Sequence, residues 1–255
     1  MEKATFLNYD RPPLVGMLYS HTPQEAKSLM MNYHYDGADA FCVCLEYLEP
    51  QYRTLDVLKD VFSCAFGKPI YITGYRGGCN NNDDECMKLI LLGLEAGATL
   101  GDVMGDTFDP QPNEMTFDPE AVAKQREIID RIHSMGKEVL ISSHTHAFLD
   151  EDTVVKYALA QKERGADVVK IVNGSYTREQ MEASFNMIFR LKKELGDTKF
   201  LFLTNGEYCR PIRQYGPAFG VCMYLCMHEY FVGSGIEQPL LKSTKQIRDN
   251  TMFLK

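Results

Sequence analysis

Short, unbroken apolar runs recur along the chain, separated by longer segments whose apolar positions return every three to four residues. The runs cover 14–19, 40–45, 69–73, 139–142, 168–172 and 200–203, with a weaker one near Val103 and a last one at 220–225. They are rich in β-branched and other apolar residues and do not alternate with polar ones, the pattern of parallel strands covered on both faces. The intervening segments read as helices. Asp118-Pro119 supplies an N-cap followed by proline at the first helical position, and Val122, Ile128, Ile129, Ile132 and Met135 then fall on one face. Thr177 and Gln180 have capping-box spacing and lead into Met181, Phe185, Ile188, Leu191 and Leu195.

Glycines punctuate this pattern. Gly37-Ala-Asp, Gly67-Lys, Gly97-Ala-Thr, Gly136-Lys, Gly165-Ala-Asp and Gly196-Asp-Thr-Lys start 30, 30, 39, 29 and 31 residues apart. Each stands where a helix should end, because the left-handed turn that closes a helix carries little penalty without a Cβ. Eight strand-plus-helix units predict an α/β fold, a (β/α)8 barrel, as one domain over residues 1–255. A doubly wound open sheet would usually show a glycine-rich turn after its first strand, and here that turn reads Ser20-His-Thr-Pro23. The one low-complexity stretch, from Gly77 to Asp84, follows the third strand, where a barrel places active-site loops.

Composition narrows the classes. The chain has 255 residues, 45% of them hydrophobic and 24% charged, enough for a large core. A net charge of -8 without a basic stripe argues against nucleic-acid binding. No apolar run reaches the roughly 18 residues of a membrane span, and the N-terminus lacks a signal-peptide core, so a cytoplasmic protein with no membrane partner is expected. The eight cysteines include Cys42 and Cys44 within an apolar run and form no Cys-x-x-Cys pair, so they read as reduced small hydrophobes.

Barrel chemistry sits at the C-terminal ends of the strands, so polar residues there are the candidates. Lys170 lies inside Val168-Val-Lys-Ile-Val172, and lysine is almost never buried without a partner or a purpose. In an apolar pocket a lysine loses its proton more readily, and the neutral amine can attack a carbonyl to form an imine. The alternative is a lysine that snorkels or pairs structurally. The fifth strand ends Leu140-Ile-Ser-Ser-His-Thr-His146, so Ser142, His144 and His146 share a face. His144 sits deeper and is the better proton carrier; His146 reads as a hydrogen-bonded residue of the barrel mouth.

The segment Ser142-Ser-His144, taken with Gly165-Ala-Asp-Val-Val-Lys170-Ile, resembles the most distinctive pair of motifs in type I 3-dehydroquinate dehydratase. The resemblance implies a (β/α)8 barrel without a cofactor or a metal, in which Lys170 forms an imine with the ketone of a carboxylated hydroxy-ketone and His144 moves the protons as water is lost. It assigns the substrate carboxylate to Arg210, in Asn205-Gly-Glu-Tyr-Cys-Arg210. It also places Ser234 and Gln238, in Gly233-Ser-Gly-Ile-Glu-Gln238, over the substrate. Members of that family often form homodimers, and no exposed stripe in this sequence adds to that expectation.

The first half departs from the family pattern. Where the family has Glu-x-Arg-x-Asp after its second strand, this chain has Cys42 and Cys44, and only the final acid is kept, as Glu46. A less polar, roomier pocket is expected there. Arg76 stands one residue from the place of a family arginine and is assigned to substrate binding with Glu46. The glutamate that supports the family histidine is missing, leaving Glu46, Asp102 or Asp106 as candidates. Three other readings stay open: a class I aldolase sharing the lysine imine; a zinc hydrolase using Cys42-x-Cys44 and His144-x-His146; and a silent barrel that only binds a ligand.

Overall fold

The computed structural model describes residues 4–231 and 236–253. Strands and helices alternate: β1 Leu14–Leu18, α1 Pro23–Tyr35, β2 Ala40–Cys44, α2 Leu55–Phe62, β3 Ile70–Thr73, α3 Asp83–Ala96, β4 Leu100–Met104, α4 Pro119–Ser134 and β5 Glu138–His144. There follow α5 Glu151–Glu163, β6 Val168–Gly174, α6 Arg178–Leu195, β7 Lys199–Asn205, α7 Arg210–Tyr215, β8 Tyr224–Cys226 and α8 Leu241–Asp249. The strands run parallel in the order β7-β6-β5-β4-β3-β2-β1-β8. At the seam between β7 and β8 the Cys222 amide donates to the Phe200 carbonyl at 2.8 Å. The curled parallel sheet with its eight helices is the expected (β/α)8 barrel architecture.

All six repeat glycines have positive φ, from 61° at Gly196 to 125° at Gly97, so the repeat records one local requirement, a left-handed exit from each helix. Helix starts follow their predicted caps. Asp118 accepts from the amides of Glu120 and Ala121, and Thr177 from that of Gln180. On α4 the buried stripe is Ala121, Gln125, Ile129 and Ile132, rotated from the predicted face, with Met135 exposed. Gln125 belongs to the stripe because its amide satisfies the carbonyls of Gly105, at 3.3 Å, and Thr107, at 2.8 Å, at the start of the loop after β4. Buried carbonyls need such partners.

Gly16 on β1 has a close-packing reason: a Cβ there would lie 2.5 Å from the Tyr33 ring. That approach lets the Tyr33 hydroxyl donate to the carbonyls of Met17, at 2.7 Å, and Cys226, at 3.2 Å, joining β1 to β8. All eight cysteines are free thiols. No helix among the described residues is long and apolar enough to cross a membrane.

Candidate active site

The chemistry gathers at the carboxyl ends of the strands. An inner cavity of about 230 Å³ is lined by Glu46, Tyr71, Thr73, Tyr75, His144 and Lys170 among others. It adjoins an outer cavity of about 500 Å³, and both include Tyr19, Tyr47, His144, Val172, Arg213 and Gln238 in their walls.

Lys170 is 4% exposed. It stands beside Ser142 in the β5–β6 register, so two strands present a polar pair at one level of the barrel. Its surroundings are not apolar, which corrects the expectation that hydrophobic burial frees its amine. Lys170 Nζ lies 2.7 Å from Tyr75 Oη, 3.1 Å from Tyr71 Oη and 3.2 Å from Asp102 Oδ2, an oxygen for each ammonium proton. Asp102, on β4, also accepts from Ser142 Oγ at 2.5 Å, from Tyr75 Oη at 2.7 Å and from the Tyr71 hydroxyl. Burial opposes the charge on Asp102. The Lys170 ammonium, then His144 and the bonds from Ser142 and Tyr71, outweigh it and hold the carboxyl below its ordinary range. Burial, followed by the neighbouring Asp102 charge, pushes both tyrosine hydroxyls well above theirs.

His144 ends β5, and its Nδ1 lies 2.6 Å from Glu114 Oε2. A proton on Nδ1 donated to that carboxylate leaves the Nε2 lone pair for base catalysis. None of the three proposed supports holds His144: Asp102 serves Lys170, Asp106 serves Arg76, and Glu46 accepts from Thr73 Oγ1, 2.9 Å from Oε2. Glu114 instead arrives on the loop between β4 and α4 with a left-handed backbone, φ 47°. Such a conformation in a glutamate is strained and must be held by its surroundings. The buried Arg164 does so, donating to the Gly105 carbonyl at 2.7 Å and to that of Thr116, at the loop's two ends. Thr145 Oγ1 also donates to Asn113 Oδ1 at 2.8 Å.

Neither Arg76 nor Arg210 lines either cavity. Arg76 spends its guanidinium on Asp83 Oδ1 at 2.5 Å, Asp106 Oδ1 at 2.9 Å and the Asp106 carbonyl at 2.9 Å, clamping the loops after β3 and β4. Arg210 is the first residue of α7 and faces outward, donating to the Ile236 carbonyl at 3.0 Å and Tyr230 Oη at 2.6 Å. One turn on, Arg213 is buried and lines both cavities. Its Nε donates to the Thr204 carbonyl at 2.7 Å and its Nη1 to Gln238 Oε1 at 2.8 Å. Burial lowers its pKa, the mark of a cation short of a counter-charge.

Glu46 and Gln238 are in the cavity walls, whereas Ser234 falls outside the described residues. Burial, against bonds from its own backbone and Thr73, pushes Glu46 up to about 7. Beside the cysteines, Tyr71, the register partner of Cys42, and Tyr75 line the inner cavity together with Cys44. Among the described residues no group of three or more metal-ligating side chains comes together, so neither the cysteine pair nor the histidine pair gains a third ligand.

No protein-family model matches the sequence, and no curated protein matches it. Solved structures do match. A 3-dehydroquinate dehydratase from Geobacillus kaustophilus superposes with a TM-score of 0.80 at 14% identity, over 95% of this chain and 92% of that one. The type I 3-dehydroquinate dehydratase from Clostridium difficile, solved with covalently modified comenic acid, gives 0.79 at 15% identity over 95% and 93%. The Enterococcus faecalis 3-dehydroquinate dehydratase gives 0.79 at 11% identity over 98% and 99%. At 11 to 15% identity, the chain has the fold of these 3-dehydroquinate dehydratases over nearly its whole length.

Proposed function

We propose that this protein is a lyase that removes water from a carboxylated β-hydroxy ketone through an imine on Lys170, with 3-dehydroquinate the first substrate to test. One observation carries the reading: Lys170, a histidine fixed by a carboxylate, and the buried Arg213 line one cavity at the carboxyl ends of the strands. The fold likeness to the dehydratases supports it.

The chemistry follows from those groups. The Lys170 amine adds to the ketone; the carbonyl electron pair moves to oxygen, which leaves as water, and an iminium remains. The iminium acidifies the adjacent C–H, and His144 Nε2 takes that proton. The electron pair becomes a C=C bond as the C–O bond to the β-hydroxyl breaks, and the proton on His144 leaves with that oxygen as water. A second water hydrolyses the imine. Glu114 steadies the transient imidazolium, and Arg213 meets the carboxylate with a planar fork. The carboxylate of Glu114 on His144 Nδ1 supports an enzyme over a silent barrel.

The test is borohydride reduction in the presence of 3-dehydroquinate or 3-dehydroshikimate, with peptide mapping. The expected product is a reduced adduct on Lys170 that Lys170→Ala abolishes. An unmodified Lys170 overturns the reading.

A further inference from the structure

We infer that Tyr75 is a catalytic proton carrier for imine formation, passing protons between Lys170, Asp102 and the oxygen of the substrate carbonyl. The inference rests on the imine reading of Lys170 and adds a residue which that reading does not require.

An ammonium held by three oxygens is not a nucleophile. Before Lys170 can attack, one proton must leave, and Asp102 is the charged acceptor beside it. The direct path is the longer one, 3.2 Å to an oxygen that already takes two phenolic hydrogens. Through Tyr75 the path is two short bonds: Lys170 Nζ lies 2.7 Å from Tyr75 Oη, which lies 2.7 Å from Asp102 Oδ2. A phenol with one hydrogen donates to the carboxylate and accepts from the ammonium, so both bonds already point the way the proton must move. A phenol whose pKa is raised by burial and by the adjacent carboxylate stays protonated and acts as a relay, not as a base.

Tyr71 touches the same two groups but is fully enclosed and lies 3.1 Å from Nζ. Tyr75 is partly exposed, and its ring meets that of His144 edge-on at 5.2 Å. It therefore stands where the amine, the carboxylate and the proton-transferring histidine meet.

The protons balance. The ammonium carries three. The first passes through Tyr75 to Asp102, leaving an amine that forms the C–N bond while the carbonyl electron pair moves to oxygen. The second leaves the nitrogen of the adduct for that oxygen. The proton stored on Asp102 returns through Tyr75 to the same oxygen, and the C–O bond breaks to release water. One proton stays on the iminium, Asp102 is again a carboxylate and Tyr75 again a phenol. His144 is left free for the C–H proton.

The test is a rapid-quench experiment. Protein is mixed with 3-dehydroshikimate, reduced with borohydride at increasing times, and the adduct on Lys170 is counted by mass spectrometry. Tyr75→Phe keeps the ring, and its adduct should form about 10² to 10⁴-fold more slowly. A catalyst sets the rate and not the equilibrium, so the fraction trapped after long incubation should equal that of the wild type. Tyr71→Phe should slow the reaction far less. Heavy water should slow adduct formation in the wild type, a readout on the unmutated protein that does not depend on how the variant folds, and should slow Tyr75→Phe at least as much, because proton transfer without the relay then limits the rate. Wild-type speed in Tyr75→Phe, a lower final fraction trapped, or no heavy-water effect in the wild type overturns the relay and leaves the imine reading intact. No adduct on the wild type overturns both.

Discussion

Glu114→Gln isolates the carboxylate that orients His144. Glu114 does not line either cavity, so the change acts on substrate only through the histidine. The bond between His144 Nδ1 and Glu114 Oε2 is 2.6 Å, short as expected of a charge-assisted contact, and such bonds contribute about 1.5 to 3 kcal/mol. The side chains are 28% and 31% exposed, so water can replace part of what is lost and the lower half of that range applies. A loss of about 1.5 to 2 kcal/mol corresponds to a kcat about 10 to 30-fold lower, with KM nearly unchanged. His144→Ala should cost more, about 10² to 10⁴-fold. Glu114→Gly removes the same carboxylate while relieving the left-handed backbone at φ 47°, so it should hold or raise Tm as kcat falls. The assay is steady-state dehydration followed by absorbance, with a melting curve for each variant. Wild-type kcat in Glu114→Gln, or a loss as deep as that of His144→Ala, would refute the assignment.

Two further outcomes separate the structure from the sequence reading. Arg213→Lys should raise KM at least 10-fold because a lysine cannot reproduce the planar fork, whereas Arg210→Lys should leave KM within about 2-fold; the reverse order in substrate titrations would return the carboxylate to Arg210. Glu46 has a folded pKa of about 7 against an ordinary 4.5, so its contribution to stability is fully present below pH 4.5 and is lost as pH rises to 7, amounting to about 3 kcal/mol. Glu46→Gln should remove that decline from denaturant titrations between those two pH values, and an unchanged slope would mean that the carboxyl titrates as an exposed one.

The barrel was legible because six of its eight units repeat one local rule. A helix that must stop and turn back into a strand needs a left-handed residue, and glycine marks that position at intervals near 30 residues. The eighth unit was the least well placed. The apolar stretch 220–225 predicted a strand there, but β8 is Tyr224–Cys226, because Gly220 at φ 126° and Cys222, whose amide goes to Phe200, turn the chain across the seam first. On α4 and α6 hydrophobicity found the helix and part of the buried face, Ile129 and Ile132 on the one and Ile188, Leu191 and Leu195 on the other, but it missed Gln125 and Ser184, which are buried with hydrogen bonds to backbone carbonyls.

In the site, Lys170 and His144 were legible because a polar residue in an apolar strand has no packing reason to be there. Their partners were not, each for a physical reason. Tyr71 and Tyr75 sit in and just after an apolar run, where a tyrosine reads as core; nothing local says that its hydroxyl meets a lysine 99 or 95 residues away. Glu114 lies in an aperiodic loop fixed from a distance by Arg164. Arg213 was hidden by Arg210, although Arg210-Pro211 marks the start of a helix and so places Arg210 at the rim, with Ile212 and Arg213 as the buried pair. Asp102 carried a readable signal. A lysine buried in one strand of a barrel needs a carboxylate at a similar depth, and Leu100-Gly-Asp-Val-Met104 is an apolar strand with one acid in it. Asp102 is thereby committed to Lys170 and not to His144, whose carboxylate partner, Glu114, comes from a loop.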